Sequence, residues 1–264
     1  MRSKTYFLAA LLVISVCIKA AAQKITLDYY FNHEVHKTAN GKIERYHYTW
    51  EDKSGSGYSI FGGAFTRAGA SLDTLGTAPT LNNLKGSAVY IIVDPDTKKE
   101  SPDPKYIQPK NIKEIATWVK GGGVLLMMAN DSANVELPNF NTLAAVFGMH
   151  FNNDLQNHVT DDRHFDDGAV ITKGNPIFKT ARKIFMKDVC SIGIKHPAKA
   201  ALKNSAGAVI IATAKYGKGT VFAVGDPWFY NEYTNGRLPA GFENDKAAND
   251  VVAWLLKQIP SKAR

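Results

Sequence analysis

Three apolar runs in this sequence are each followed at once by a cluster of polar residues that could do chemistry. The runs are 88–93 (AVYIIV), 124–129 (VLLMMA) and 220–224 (TVFAV), and the clusters are 94–97 (DPDT), 130–134 (NDSAN) and 225–228 (GDPW). Continuous apolar runs of this length predict strands that are buried on both faces of a parallel sheet. Ligands of such sheets bind outside the carboxyl ends of the strands, so the three clusters are predicted to form one binding rim.

The carboxylates of this rim are candidates for general acid and base catalysis, because carboxylates in different environments can differ in pKa. Asp131 and Asp226 are the predicted catalytic pair of a hydrolase. The predicted substrate-binding residues are Asp94, Asp96, Asn130, Asn134, Trp228 and Tyr230, whose aromatic members could stack on a sugar face. An aspartate that follows a strand and precedes proline is also common turn chemistry, so each aspartate has a structural alternative.

Other segments carry reactive residue types without a pattern that defines a site. Residues 158–167 (HVTDDRHFDD) could hold a divalent ion, but no helix fixes their spacing and a solvated loop is the alternative. Residues 216–220 (YGKGT) lack the spacing of a phosphate loop and precede a strand. Cys190 has no neighbouring His, which indicates a structural thiol. We therefore predict no metal and no cofactor.

The first residues predict export. Arg2 and Lys4 precede an apolar stretch too short to span a membrane, and the small residues 20–22 fit a signal-peptidase site, so residues 1–22 are a predicted signal peptide cleaved before Gln23. An uncleaved anchor and a lipoprotein modified at Cys17 are the alternatives. The predicted location is periplasmic or secreted, with no membrane attachment after cleavage. The remaining cysteine cannot form an internal disulfide, so a single domain over 23–264 must rely on its core.

The net charge of the chain excludes few classes of binding partner. The whole chain carries a formal net charge of +8, part of which lies in residues 1–22. A mild positive excess suits an acidic polymer, although an ordinary solvated surface is the preferred explanation. The lysines are scattered and no helix for reading bases is evident, so nucleic acid is not a predicted partner.

The order of elements predicts a doubly wound α/β fold. Residues 24–31 alternate as a first strand, and 32–57 is a long connection that is either a functional flap or an excursion. Helices are predicted at 109–120, 141–148 and 246–258, with glycines ending the first two. Residues 208–214 and 220–224 predict a C-terminal β-hairpin before the last helix. Strands alternating with helices predict right-handed crossovers and a mostly parallel sheet.

Several long motifs resemble one known family. They are VDPDT at 93–97, WVKGGGVLLMMAND at 118–131, FNTLAAVFGMHFN at 140–152 and KYGKGTVFAVGDPWFYNEY at 215–233. They are similar to a class I glutamine-amidotransferase-like domain of flavodoxin type, found in polysaccharide-degrading bacteria and often fused C-terminally to unsaturated rhamnogalacturonyl hydrolases. The turn at 129–131 has no Cys where that fold carries the amidotransferase nucleophile. This departure from the pattern of the fold argues against glutaminase chemistry.

The resemblance implies a role in pectin or rhamnogalacturonan breakdown, with an acidic oligosaccharide as ligand and a rhamnogalacturonyl hydrolase as a potential partner. The fused hydrolases keep their catalytic carboxylates in an (α/α)₆ barrel that this chain lacks, so that activity is not carried over. The leading hypothesis is an exported carbohydrate-processing domain of glycoside hydrolase type. The alternative is a non-catalytic carbohydrate-binding or partner-docking module that has lost amidotransferase chemistry. A third hypothesis is a metal-dependent enzyme that uses the 158–167 loop.

Overall fold

The computed structural model describes residues 22–130 and 133–261, and of residues 229 and 230 only the backbone. Nearly all of the predicted signal peptide, and the predicted catalytic Asp131, lie outside the described residues. Within the described ranges, no helix is both long enough and apolar enough to cross a bilayer.

Strands and helices alternate between residues 59 and 151, and the segments before and after this part consist mainly of strands. The strands are β1 Lys24–Asp28, β2 Val35–Lys37, β3 Ile43–Arg45, β4 Ser71–Leu75, β5 Val89–Val93, β6 Val124–Met128, β7 Met149–Phe151, β8 Ala169–Ile171, β9 Lys183–Phe185, β10 Ile192–Ile194, β11 Lys199–Lys203, β12 Val209–Tyr216 and β13 Gly219–Val224. The helices are α1 Ser59–Arg67, α2 Leu81–Leu84, α3 Pro109–Gly121, α4 Leu137–Val146 and α5 Asn244–Gln258. Short 3₁₀ turns lie at Phe165–Gly168, Pro227–Tyr230 and Glu232–Thr234.

A seven-stranded sheet forms the centre of the molecule, in the order β11-β12-β13-β6-β5-β1-β4. Strands β4, β1, β5, β6 and β13 are parallel to one another, whereas β12 is antiparallel to both of its neighbours. Counted along the chain, the parallel strands have the order 2-1-3-4-5, which is the flavodoxin-like order of doubly wound sheets. The predicted mostly parallel sheet, the C-terminal hairpin of β12 and β13, and the final helix are all confirmed.

Helices cover both faces of the sheet. On one face, Phe61 and Phe65 of α1 and Val251 and Leu255 of α5 are buried in one hydrophobic cluster. On the other face, α3 and α4 contribute to a second cluster, which contains Ile115 and Phe140 among others. Strands β5 and β6 are fully buried because both of their faces pack against helices. Their sequences are therefore continuous apolar runs.

Two element boundaries differ from the sequence prediction for local reasons. Strand β1 ends at Asp28 and not at residue 31, because the Asp28 carboxylate accepts hydrogen bonds from the backbone of Tyr30 (3.1 Å) and Phe31 (2.7 Å) and turns the chain. Helix α4 begins at Leu137, four residues before the prediction, because the side chain of Glu136 accepts from the Asn139 backbone N–H and caps it.

Candidate functional site

The predicted rim residues meet at the carboxyl edge of the sheet. Strands β5, β6 and β13 are adjacent and parallel, so Asp94, Asn130 and Asp226 follow their strands at the same edge. The backbone N–H of Asn130 donates to Asp94 Oδ1 at 3.2 Å, which joins two of the loops directly. We call this group the carboxyl rim: Asp28, Asp94, Asp96, Asn130 and Asp226.

Asp94 joins the carboxyl rim to Tyr48 and, through it, to Trp228. Its Oδ2 accepts a hydrogen bond from the Tyr48 hydroxyl (2.9 Å), whose oxygen in turn accepts from the Trp228 indole N–H (2.8 Å). Asp94, His47 and Tyr48 all have positive φ angles (35°, 62° and 51°), a conformation that costs free energy for residues other than glycine. Burial raises the pKa of Asp94 well above its ordinary value, and the charges of Glu100 and Asp226 add to that effect.

Asp226 is buried, and its carboxylate accepts a hydrogen bond within the turn that follows β13. Its Oδ1 accepts from the Trp228 backbone N–H (2.8 Å) and its Oδ2 from the Lys187 backbone N–H (3.1 Å), so both oxygens are engaged. Burial raises the pKa of this carboxyl to about 7, against which the two backbone hydrogen bonds act. These are the contacts of an aspartate that caps a turn, which is the structural alternative given by the sequence.

Asp96 and Asn130 are also buried, but each keeps an unused polar atom. Asp96 Oδ2 accepts from the His33 backbone N–H at 2.9 Å, whereas Asp96 Oδ1 and Asn130 Oδ1 have no hydrogen-bond partner among the described residues. Burial, with the charges of Glu34, Glu100 and Asp28, raises the pKa of Asp96 to about 7. These two side chains are the members of the rim with bonding capacity to spare.

The remaining predicted site residues differ in their exposure to solvent. Trp228 is half-buried beside the rim, and Asn134 is exposed on the turn that precedes α4. Tyr230 is placed by its backbone in the 3₁₀ turn Pro227–Tyr230.

The crevice between β1 and β5 is the switch point of this strand order, where ligands of doubly wound sheets usually bind. Here the chain after β1 fills it. Asp96 N–H donates to the Phe31 carbonyl (2.8 Å), and the Asn32 side-chain amide donates to the Asp94 carbonyl (3.1 Å). These contacts join the chain after β1 to the loop after β5 and do not involve the loop after β13.

A pair of aromatic rings lies at that β13 end. The ring centroids of Trp228 and Tyr233 are 5.0 Å apart. The Lys187 ammonium lies 5.2 Å from the Trp228 centroid and 5.6 Å from that of Tyr233, and the Arg237 guanidinium lies 3.9 Å from the Tyr233 centroid. Both rings are half-buried, and we call these four residues the aromatic platform.

Sequence reasoning missed several residues that build this site. Tyr48, which joins Asp94 to Trp228, lies in the connection 32–57 that the sequence offered as a functional flap or an excursion. The aromatic density around it, Tyr46 to Trp50, was a usable signal. Asp28 gave no such signal, because the strand-like alternation of the sequence continues past it. Lys187 and Arg237 come from loops whose approach to Trp228 depends on the tertiary fold.

Most of the charged and histidine side chains of the 158–167 loop form ion pairs. His158 Nδ1 lies 2.8 Å from Asp188 Oδ1, Asp162 receives a bidentate contact from Arg237, and Lys183 lies 2.7 Å from Asp166. No group of three or more metal-ligating side chains occurs within the described ranges.

Cys190 fits the predicted structural thiol. It is fully buried, its Sγ donates to the Ala129 carbonyl at 3.4 Å, and burial raises the pKa of the thiol well above its ordinary value. A thiol with a raised pKa is a poor nucleophile at neutral pH.

No family model matches this chain, and no curated protein sequence matches it. Solved structures of similar fold do exist. The "mmIFT52 N-terminal domain" has 17% identity over 89% of this chain and 97% of its own, with a TM-score of 0.64. "Cytoplasmic Protein STM3548 from Salmonella typhimurium" has 12% identity over 88% and 98% of the two chains, with a TM-score of 0.55.

A third structure, a β-galactosidase from Bacillus circulans sp. alkalophilus, has 10% identity and a TM-score of 0.52; the match covers 89% of this chain but 31% of the galactosidase. At these identities the comparisons show a shared fold and nothing further. The resemblance to the amidotransferase-like domain stays a prediction.

Proposed function

We propose that this protein is a non-catalytic binding module for acidic oligosaccharides and that it works outside the cytoplasm. The observation that carries the proposal is the aromatic platform at the β13 end of the carboxyl rim. Its two rings are half-buried and its indole is held in place by the hydrogen bond to Tyr48. A rigid, partly exposed ring with a polar group at its edge suits the flat apolar face of a sugar.

The state of the rim carboxylates favours binding over turnover. A general acid or base must come within hydrogen-bonding distance of the proton that it moves. Asp94 and Asp226 are buried, and both oxygens of each already accept hydrogen bonds from this protein. These contacts fix the loops that carry Trp228 and leave little freedom for catalysis.

An acidic ligand is compatible with this edge in spite of its aspartates. Burial raises the pKa of Asp94 well above its ordinary value, so this carboxyl holds its proton to a higher pH than an exposed aspartate does and carries less negative charge toward an anion. Lys187 and Arg237 contribute positive charge at the platform, although each also contacts a carboxylate, Asp188 at 3.1 Å and Asp162 at 2.7 Å. The motif resemblance to domains of pectin-degrading proteins adds to this proposal and suggests a rhamnogalacturonyl hydrolase as partner.

A glycoside hydrolase is the second candidate, and one observation favours it. The pKa of Asp226 is raised to about 7, the range in which a carboxylic acid can serve as a general acid at neutral pH. Asp131 is the predicted second carboxylate. In this mechanism Asp226 would protonate the leaving oxygen of the glycosidic bond.

Calorimetric titration with trigalacturonate and with a neutral trigalactoside, alongside product analysis, separates the candidates. We expect trigalacturonate to bind without being cleaved, and Trp228→Ala to weaken that binding about tenfold or more. Trp228→Phe, which keeps a ring, should retain most of the affinity. Lys187→Gln should weaken trigalacturonate binding, whereas Lys173→Gln, at an exposed lysine of another loop, should not.

Turnover would reverse the assignment. If products accumulate with the wild-type protein and Asp226→Asn abolishes them while the fold is intact, the protein is a hydrolase. If Trp228→Ala leaves both affinity and turnover unchanged, the aromatic platform has no part in the function.

A further inference from the structure

A cavity lies at the end of the sheet opposite to β4, where the antiparallel strands β11 and β12 extend it. Its volume is about 400 Å³, within the range of sites for small molecules. We call it the edge pocket. Its lining residues are His196, Pro197, Lys199, Thr213, Ala214, Lys215, Thr220, Trp254 and Gln258.

Strand register explains why these side chains converge. Lys199 of β11 pairs with Thr213 of β12, and Lys215 of β12 pairs with Thr220 of β13. Residues two apart on a strand share a face, so Thr213 and Lys215 point the same way, as do their cross-strand partners. Helix α5 packs on this face and closes the pocket with Trp254 and Gln258.

The charge of the edge pocket is positive and unbalanced. The Lys215 ammonium donates to Thr220 Oγ1 (2.7 Å) and Gln258 Oε1 (3.0 Å), which hold it in place without neutralising it. An ammonium has three donors, so one N–H remains. Neither Lys199 nor Lys215 forms an ion pair within the part of the chain that the structure describes, and no acidic side chain lines the pocket.

One wall of the pocket is aromatic. Trp254 is half-buried, and its ring packs at 5.5 Å from the ring of Phe222, which fixes its position on the sheet. A fixed indole beside a pre-positioned cation is an arrangement that recognises a ring and a negative group of one ligand together.

We propose that the edge pocket binds a small sugar-sized anion, a sugar carboxylate or sugar phosphate. Lys199 and Lys215 bind the negative group, and Trp254 contacts the ring. This site is separate from the carboxyl rim and does not depend on the function proposed for it.

Titration calorimetry with galacturonic acid and with glucose 6-phosphate tests the site, with galactose and glucose as uncharged controls. We expect at least one anion to bind about tenfold or more tightly than its neutral counterpart, because charge-assisted hydrogen bonds are the strong ones. Whichever anion binds identifies the source of the negative group. Lys199→Gln and Lys215→Gln should each weaken that binding, and added salt should weaken it in the wild type.

Lys203→Gln is the matched control, since Lys203 is an exposed lysine of the same strand β11 that does not line the pocket. Trp228→Ala separates this site from the rim, because it should leave the binding of the small anion unchanged. The proposal is overturned if neither anion binds at millimolar concentration, if galactose and glucose bind as well as the anions, or if Lys203→Gln is as harmful as Lys215→Gln.

Discussion

Burial governs the chemistry of the individual aspartates at the carboxyl rim. Asp28 is the simplest case: its carboxylate accepts from the backbone of Tyr30 and Phe31 and from the Tyr90 hydroxyl. Loss of solvation outweighs these hydrogen bonds and raises its pKa to about 6. Asp28 therefore stays partly protonated at a pH where an exposed aspartate is fully ionised.

The raised pKa of Asp28 makes stability depend on pH in a definite direction. The folded carboxyl keeps its proton up to about pH 6, whereas the unfolded one loses it near pH 3.8, so between these values the folded state binds more protons. This contribution to stability is fully present below pH 3.8 and is lost as the pH rises through about 6. We expect the loss to amount to about 3 kcal/mol, from 1.36 kcal/mol per pKa unit.

Asp28→Asn tests this directly. The amide oxygen can still accept from the two backbone N–H groups, and the amide nitrogen can donate to the Tyr90 oxygen, so the hydrogen bonds are kept. Urea unfolding from pH 4 to 8 should show a smaller loss of stability with rising pH in Asp28→Asn than in the wild type. Equal slopes for the two proteins would contradict the assignment, and other titrating groups cancel in the comparison.

Tyr48 acts as a positioning residue for Trp228. Tyr48→Phe removes both the acceptor for the indole N–H and the donor to Asp94 Oδ2. We expect a loss of stability of about 1–3 kcal/mol from the unpaired buried groups, together with a several-fold weaker affinity for trigalacturonate. Tyr46→Phe, at a tyrosine that stacks on His47, is the control and should change neither. Unchanged affinity in a folded Tyr48→Phe protein would separate the hydrogen-bonded chain from ligand binding.

At the scale of elements, the loop after β13 depends on Gly225. A Cβ atom at this position would lie 1.8 Å from the backbone oxygen of Cys190, to which the strand end is packed. Neither backbone can retreat easily, because Cys190 N–H donates to the Gly225 carbonyl at 2.9 Å. This close approach determines where Asp226 and Trp228 lie relative to the edge of the sheet.

Gly225→Ala should therefore destabilise the protein severely, by about 3 kcal/mol or more, as overpacking in a core does. Gly76→Ala is the control, because a Cβ there meets nothing within 4 Å. Thermal unfolding of the two variants measures the difference. Comparable melting temperatures for Gly225→Ala and the wild type would show that the loop adapts and that its position is not fixed by this contact.

The strands at the centre were predictable because burial on both faces leaves a plain apolar run, as in β5 and β6. The hairpin of β12 and β13 was predictable from its glycines. The end of β1 was not, since the capping role of Asp28 becomes visible only with the turn that it forms. The link from Tyr48 to Asp94 and Trp228 spans 46 and 180 residues of chain, and no local pattern encodes contacts of that range.

For the molecule as a whole, strand order determines where a ligand can bind. The parallel order 2-1-3-4-5 brings the polar clusters to one edge, as the sequence predicted, but the loop after β1 packs over the switch point. The proposed ligand site therefore lies toward β13, at the aromatic platform. The edge pocket lies beyond β13, where the antiparallel strands widen the sheet.

The central claim is that an acidic oligosaccharide binds at the aromatic platform, and amide chemical-shift mapping with trigalacturonate tests it most directly. We predict that the largest shifts occur at Lys187, Trp228, Tyr233 and Arg237, with the Trp228 indole N–H among them. Shifts confined to other surfaces, or no shifts at saturating trigalacturonate, would contradict the claim.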